Sequence, residues 1–148
     1  MITTIVIMTL SLAMFVYWFR YSCILILESD WNEEKAREIA AQNELAFDSS
    51  DALLARSASA VEMDRLRDSL DRDLRAIRNL MSECPGLRET GASLESRMLM
   101  VDFQLMKAWY AVTRTMSQPK AQQALRSMSK IVGYMAGEVG DQMVTARG

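Results

Sequence analysis

The chain contains no histidine, and its 148 residues include only two cysteines, two prolines and six glycines. Without histidine, it cannot build a Ser-His-Asp or Cys-His nucleophile, a histidine-bearing zinc site or a Glu-x-x-His di-iron site. Two cysteines are too few for a four-cysteine zinc or iron–sulfur site, and the sequence has no G-x-x-x-x-G-K-[ST] phosphate loop. These absences predict a protein that is not an enzyme and that holds no catalytic residue, metal or cofactor.

Proline and glycine, the residues that interrupt helices, are scarce, whereas strong helix formers (Ala, Leu, Met, Arg and Glu) are abundant. No stretch alternates apolar and polar residues in the manner of a strand. The composition therefore predicts an all-α protein.

One long uncharged segment, Ile2 to Phe19, opens the chain. As a helix of eighteen residues it rises about 27 Å, close to the bilayer hydrocarbon thickness of about 30 Å. We therefore expect residues 1–27 to form a single transmembrane anchor that contacts the lipid bilayer. Tyr17, Trp18, Arg20 and Tyr21 are expected at the membrane interface, where aromatic rings and extended arginine side chains are common. The alternative places Arg20 inside the bilayer, paired with an acidic group of a partner helix.

A cleaved signal peptide is the main alternative to this anchor. The segment lacks the basic start and the A-x-A cleavage site of a signal peptide, so an uncleaved anchor is expected. The nearest basic residues, Arg20, Lys35 and Arg37, all follow the apolar run. Because basic residues concentrate on the cytoplasmic side, the sequence predicts an N-terminus outside and a cytoplasmic C-terminal domain.

Charge is distributed unevenly along the remainder of the chain. Residues 28–51 hold eight acids and two bases, whereas residues 103–148 hold two acids and six bases. Residues 28–49 are expected to form an acidic juxtamembrane helix, either as a stalk or as a fourth helix of the following domain. With a pI of about 5.2 and no dense basic stripe, binding to nucleic acid is not expected.

Residues 50–148 are predicted to form an antiparallel three- or four-helix bundle with coiled-coil-like seams. The predicted helices cover 51–83, 93–117 and 119–145, because short turns join long amphipathic segments. The helix over 93–117 is so nearly apolar that it is expected either at the centre or with a face that a partner covers. The apolar seams, in which residues recur in steps of three and four, are Met63, Leu66, Leu70, Leu74, Ile77, Met81 and Cys84; Leu94, Met98, Val101, Leu105, Ala108, Val112 and Met116; and Ala121, Leu125, Met128, Val132, Met135, Val139 and Met143.

Two features suggest a partner-binding surface on the last two helices. Methionine and aromatic side chains cluster there, and such side chains suit adaptable binding surfaces as well as cores. Gly133 and Gly137 form a G-x-x-x-G motif that Gly140 extends, which favours close helix packing inside the bundle or against a partner or second copy. The candidate partner-binding residues are Met98, Phe103, Met106, Trp109, Tyr110, Gly133, Gly137 and Gly140.

Three carboxylates, Asp64, Asp68 and Asp71, share one helix face and could in principle bind a hard cation. Arginines interleave with them, so a face of ion pairs is the expected arrangement.

Together these features predict a non-enzymatic, membrane-anchored interaction module, in its most specific form an accessory or scaffold subunit of a larger membrane protein assembly. Its partner is expected to be another protein or a second copy. The alternatives are a membrane-tethered signalling or sensory element, and a helical bundle that binds a lipid or quinone near Phe103, Trp109 and Tyr110.

Overall fold

The structure is a computed structural model that describes residues 1–28, 33–43, 45, 50–56, 59–83 and 92–147. These ranges contain six helices: α1 (Ile2–Glu28), α2 (Glu33–Asn43), α3 (Ser50–Ala55), α4 (Ala60–Glu83), α5 (Ala92–Met116) and α6 (Gln118–Arg147). No strand occurs within them, and the all-α prediction is confirmed. The chain divides into two units, Met1–Asp30 and Trp31–Gly148.

The first unit is formed by α1, a continuous helix over the predicted anchor. Its 27 residues rise about 40 Å, and none of the residues in its most apolar stretch is buried. Over that stretch the helix is apolar on every side, as in a membrane-spanning segment, whereas Cys23, nearer its C-terminal end, is buried. By length and composition α1 is able to cross a membrane, although an N-terminal signal sequence passes the same test.

The second unit is organised around α6, which contacts α2, α3, α4 and α5. Seven consecutive residues, 131–137, are buried, so this part of α6 is covered on all sides. Of the two arrangements expected for the helix over 93–117, the central position is therefore not the one found, since that helix has an exposed apolar face. Residues 131–137 read IVGYMAG, and their lack of charge and their small side chains let neighbours approach from every direction.

The predicted helix over 51–83 is in fact two helices, α3 and α4. The break falls before Ser59, which forms a reciprocal capping box with Glu62. The Ser59 amide donates to Glu62 Oε2 at 2.7 Å, and the Glu62 amide donates to Ser59 Oγ at 3.4 Å. Because two otherwise unpaired amides are satisfied there, a new helix starts at this point. Hydrogen bonds from the Ser59 amide and from the Ser59 side chain lower the pKa of the exposed Glu62 carboxyl.

The last two helices lie where the sequence predicted them, to within two residues. Ser117 alone separates α5 from α6: its amide donates to the Thr113 carbonyl at 2.7 Å, and its carbonyl accepts from the Ala121 amide at 3.1 Å. Pro119 therefore lies in the first turn of α6, where its missing amide costs no helical hydrogen bond. The sequence also favours a turn at Pro85-Gly86 and helix caps at Asp30 and Ser93. Pro85, Gly86 and Asp30 lie outside the described residues, as does the side chain of Ser93.

The predicted seams of α4 and α6 are buried. Five seam residues of α4 belong to the core: Met63, Leu66, Leu70, Leu74 and Ile77. The charged Asp73 of the same helix is also buried, and the seam residue Met81 is half-buried. Cys84 lies outside the described residues. In α6 every seam residue is buried except Met143, which is half-buried. The short α2, which the sequence left open as stalk or bundle helix, contacts α6 within the second unit.

Candidate functional site

The two sides of α5 differ in a way that its sequence does not reveal. The buried side carries Leu99, Phe103, Met106 and Tyr110, together with the polar Ser96, Asp102 and Thr113. The seam predicted from Leu94 to Met116 lies on the opposite side and contributes no buried residue. The prediction that this seam packs in the core is therefore wrong, because α6 packs against the other apolar arc of the same helix.

The exposed side of α5 is a continuous apolar surface, which we name the α5 stripe. Its exposed large residues include Leu94 at 63%, Val112 at 55% and Met116 at 80% relative accessibility. From Leu94 to Met116 the stripe extends about 33 Å along the helix. A contiguous apolar surface of this length on the outside of a folded unit is typical of an interaction site. The α5 stripe consists of Leu94, Met98, Val101, Leu105, Ala108, Trp109, Val112 and Met116.

Ion pairs between α4 and α5 fix the rotation of α5 and thereby keep the stripe outward. Arg114 pairs with Asp64 at 2.6 Å, and Lys107 pairs with Asp71 at 3.0 Å. Asp71 also pairs with Arg75 on its own helix. Burial alone raises the pKa of Asp71, but hydrogen bonds from Arg75 and Lys107 outweigh that effect and lower it.

Tyr110 anchors the same contact from inside the core. Its ring is fully buried, its hydroxyl donates to Asp64 Oδ1 at 2.8 Å, and the Arg67 guanidinium carbon lies 5.9 Å from the ring centroid. Burial, followed by the hydrogen bond and charge of Asp64, raises the pKa of Tyr110 to about 12. The hydroxyl therefore stays protonated at neutral pH and acts as a structural donor.

The aspartate face on α4 forms ion pairs, as the sequence analysis expected. Asp68 pairs with its neighbour in sequence, Arg67, at 2.7 Å. The cross-helix partners Lys107 and Arg114 were not foreseen, because residues distant in sequence meet only after folding. Among the described residues, no group of three or more acidic or cysteine side chains is arranged to hold a metal ion.

Most of the predicted partner-binding residues lie inside the second unit. Phe103, Met106 and Tyr110 are buried, and so are the three glycines Gly133, Gly137 and Gly140. Met98 is half-buried and Trp109 is 48% exposed. Only these two belong to the α5 stripe, and a partner that docks on the folded unit does not reach the other six. The glycines occupy the crowded centre of α6, consistent with close internal packing.

The predicted interface residues occupy neighbouring positions of α1. Tyr17, Trp18 and Tyr21 are exposed, and the rings of Trp18 and Tyr21 meet edge to face, with centroids 6.3 Å apart. Arg20 lies between them on the helix. These four residues, which we name the aromatic belt, therefore lie at nearly the same height on α1, about 27 Å along the helix from Ile2.

A shallow cleft of about 430 Å³ lies between α4 and α5, beside the stripe. It was not predicted, because its walls come from two helices. Leu74, Met100 and Val101 give it an apolar wall, and its polar side consists of Asp71, Arg75, Arg78 and Gln104.

A second set of acidic side chains lies where α5 meets α6. The Tyr134 hydroxyl donates to Glu95 Oε2 at 3.2 Å. Glu138 lies nearby, and its pKa is raised first by burial and then by the negative charges of Asp141 and Glu95.

Comparison of the chain with protein-family models, with curated proteins and with solved structures gives no match.

Proposed function

We propose that this chain is a non-enzymatic helical interaction module held at a membrane by α1, and that it serves as an accessory or scaffold subunit of a larger membrane protein assembly. The observation that carries the proposal is the α5 stripe. It leaves large apolar side chains in water on a helix whose opposite side already forms the core, and such surfaces commonly bind proteins. The apolar α1 supports the membrane part of the proposal.

The second unit is proposed to be an antiparallel bundle around α6. The cross-helix contacts support this arrangement, because Asp64 meets Tyr110 and Arg114 whereas Asp71, later in α4, meets the earlier Lys107. The two helices α4 and α5 therefore run in opposite directions. A rigid bundle presents the α5 stripe as a preformed surface, which lowers the entropic cost of binding.

The proposed topology places the N-terminus outside and the bundle in the cytoplasm, following the basic residues after the apolar run. The aromatic belt at Tyr17, Trp18 and Tyr21 supports an interfacial level there. The intact mass of the protein from washed membranes tests the anchor. Retention of residues 1–28 in an alkali-resistant membrane fraction is expected, whereas a shortened, soluble chain contradicts anchoring.

Comparative purification tests the interaction surface. Full-length tagged protein is extracted from native membranes in mild detergent, and proteins that co-purify at a fixed ratio are quantified by mass spectrometry. Val112→Asp places a charge on the stripe. Val61→Asp is the matched control, since Val61 lies on α4 and is 61% exposed, against 55% for Val112.

Val112→Asp is expected to lower the amount of co-purified partner at least about ten-fold, which corresponds to about 1.4 kcal/mol of binding free energy. Val61→Asp is expected to leave that amount unchanged. A partner set that is the same in both variants contradicts a binding role for the stripe.

Ligand binding is a second candidate function, and the cleft between α4 and α5 favours it. The aromatic site expected from the sequence has less support, because Phe103 and Tyr110 are fully buried in the core. The cleft instead combines an apolar wall with Arg75 and Arg78, which suits an anionic amphiphile such as a fatty acid. Met100→Trp should fill the cleft and abolish saturable binding of a fluorescent fatty acid; unchanged binding contradicts this assignment.

A further inference from the structure

Positive charge is concentrated at one end of the cleft between α4 and α5. Because the two helices run in opposite directions, Arg75 and Arg78, late in α4, lie beside the first α5 residues of the cleft. Arg97 precedes the lining residue Gln104 by seven residues, two helical turns, and therefore lies on the same face of α5, just beyond that end. Arg75, Arg78 and Arg97 are all exposed, and we name them the arginine cluster.

The guanidinium groups of the arginine cluster retain unused hydrogen-bond donors. Arg75 pairs with Asp71 through one of its nitrogens, whereas a guanidinium carries five N–H donors. Within the described part of the chain, Arg78 and Arg97 form no ion pair. The cluster is therefore able to bind an anion without breaking a contact between α4 and α5.

We infer that the cleft binds a lipid phosphomonoester, such as phosphatidic acid, with its phosphate at the arginine cluster and the first carbons of its chain against Leu74, Met100 and Val101. The inference rests on the second candidate function, because it names the head group of a ligand in the same cleft.

The number of arginines favours a phosphate over a carboxylate. A carboxylate has two oxygens and a single charge, which one guanidinium matches in a bidentate pair. A phosphomonoester carries a charge of about −1.5 to −2 near neutral pH and three acceptor oxygens. Several planar guanidinium groups at one point match that charge and that number of acceptors.

The remainder of the cleft fits the chain and sets its direction. A volume of about 430 Å³ lies within the usual range of ligand pockets, roughly 300–1,000 Å³. From Arg78 to Asp71 the cleft extends about 10 Å along α4, enough for the first part of an alkyl chain. Asp71 repels an anionic head at the far end, where its own charge is already paired with Lys107 and Arg75. The proposed anchoring by α1 keeps the unit beside a membrane, where lipids are abundant.

Isothermal titration of the full-length protein in detergent, measured against a protein-free detergent blank, tests the ligand. The probes are octyl phosphate, octanoate and inorganic phosphate, which separate the contribution of the head group from that of the chain. Arg78→Gln and Arg97→Gln each remove one guanidinium. Arg65→Gln is the matched control, because Arg65 is also an exposed arginine of α4 but lies about 20 Å along the helix from Arg78.

Octyl phosphate is expected to bind at least about ten-fold more tightly than octanoate or inorganic phosphate. Arg78→Gln and Arg97→Gln should each weaken its binding at least about ten-fold, since each removes charge-assisted hydrogen bonds. Arg65→Gln should leave the affinity unchanged. Far-UV circular dichroism verifies that all three variants remain helical.

The contrary results separate this inference from the proposals on which it depends. Equal affinity for octyl phosphate and octanoate overturns the phosphate head group but leaves the cleft as a site for anionic amphiphiles. Equal affinity for octyl phosphate and inorganic phosphate overturns the lipid. Binding that neither Arg78→Gln nor Arg97→Gln weakens overturns the location. If no probe binds, this inference and the second candidate function both fail, whereas the interaction module is judged separately by the co-purification with Val112→Asp.

Discussion

A matched pair of leucine substitutions tests which side of α5 forms the core. Leu99 is fully buried, whereas Leu94, five residues earlier on the same helix, is 63% exposed. Leu99→Ala and Leu94→Ala remove the same atoms from one helix. Any difference in their effect on the free energy of unfolding therefore reports the environment of the side chain.

The expected magnitudes follow from burial. Removing three carbon atoms from the buried site costs about 2.4 kcal/mol, from about 0.8 kcal/mol per methylene. The cavity left behind adds to this, giving about 3 kcal/mol or more for Leu99→Ala. With Leu94, only about a third of the side chain is shielded and no cavity forms, so the loss is below about 1 kcal/mol, and the better helix propensity of alanine offsets part of it.

Thermal unfolding of the full-length protein in detergent, followed by far-UV circular dichroism, measures the difference. At about 3–5 °C per kcal/mol for a unit of this size, Leu99→Ala should lower Tm by about 10 °C or more, and Leu94→Ala by less than about 4 °C. Low protein concentration limits association through the α5 stripe. Equal losses, or a larger loss with Leu94→Ala, would refute the assignment of the buried face and with it the stripe.

Three further predictions concern the packing, electrostatics and caps of the second unit. Gly137→Leu should destabilise the fold by about 1–3 kcal/mol through overpacking, seen as a lower Tm; an unchanged Tm would place Gly137 on an open surface. Glu138→Gln should raise Tm at pH 7, and the gain should vanish below about pH 4, where both forms are neutral. Ser59→Ala should cost about 0.5–2 kcal/mol by removing the cap of α4, and a change below the error of denaturant titration contradicts the cap.

The sign of the Glu138 prediction follows from its raised pKa in the folded state. Protonated Glu138 contributes stability that is present below the unfolded pKa and is lost as the pH rises through the folded pKa. Glutamine keeps a neutral side chain at every pH and does not lose this stability. A gain that persists unchanged at low pH would show that charge is not its cause.

Helix content and most helix positions were determined by the local sequence. The scarcity of proline and glycine predicted the all-α class, and α5 and α6 begin and end within two residues of the predicted limits. The break before α4 was missed, although Ser59 and Glu62 carry a capping-box signature that can be found by spacing alone. These features could be predicted because they depend on neighbours within one or two turns.

The placement of helices around α6 depended on tertiary structure. The seam of α4 was predictable because that helix has one dominant apolar arc, and the seam of α6 is buried because neighbours cover residues 131–137 on every side. α5 has two apolar arcs, and the sequence does not state which one a neighbour covers. The arc that faces inward carries Leu99, Phe103 and Tyr110. The ion pairs of Arg114 with Asp64 and of Lys107 with Asp71 accompany this arrangement and join residues far apart in the chain.

The sequence by itself therefore determined an apolar N-terminal helix, a set of amphipathic helices and a lack of histidine. Only the tertiary structure decided that α6 is central, that the glycines lie inside, and that the heptad seam of α5 faces outward. Helix formation depends on local hydrogen bonds and side-chain spacing, whereas the choice between two apolar faces depends on contacts between residues that only folding brings together.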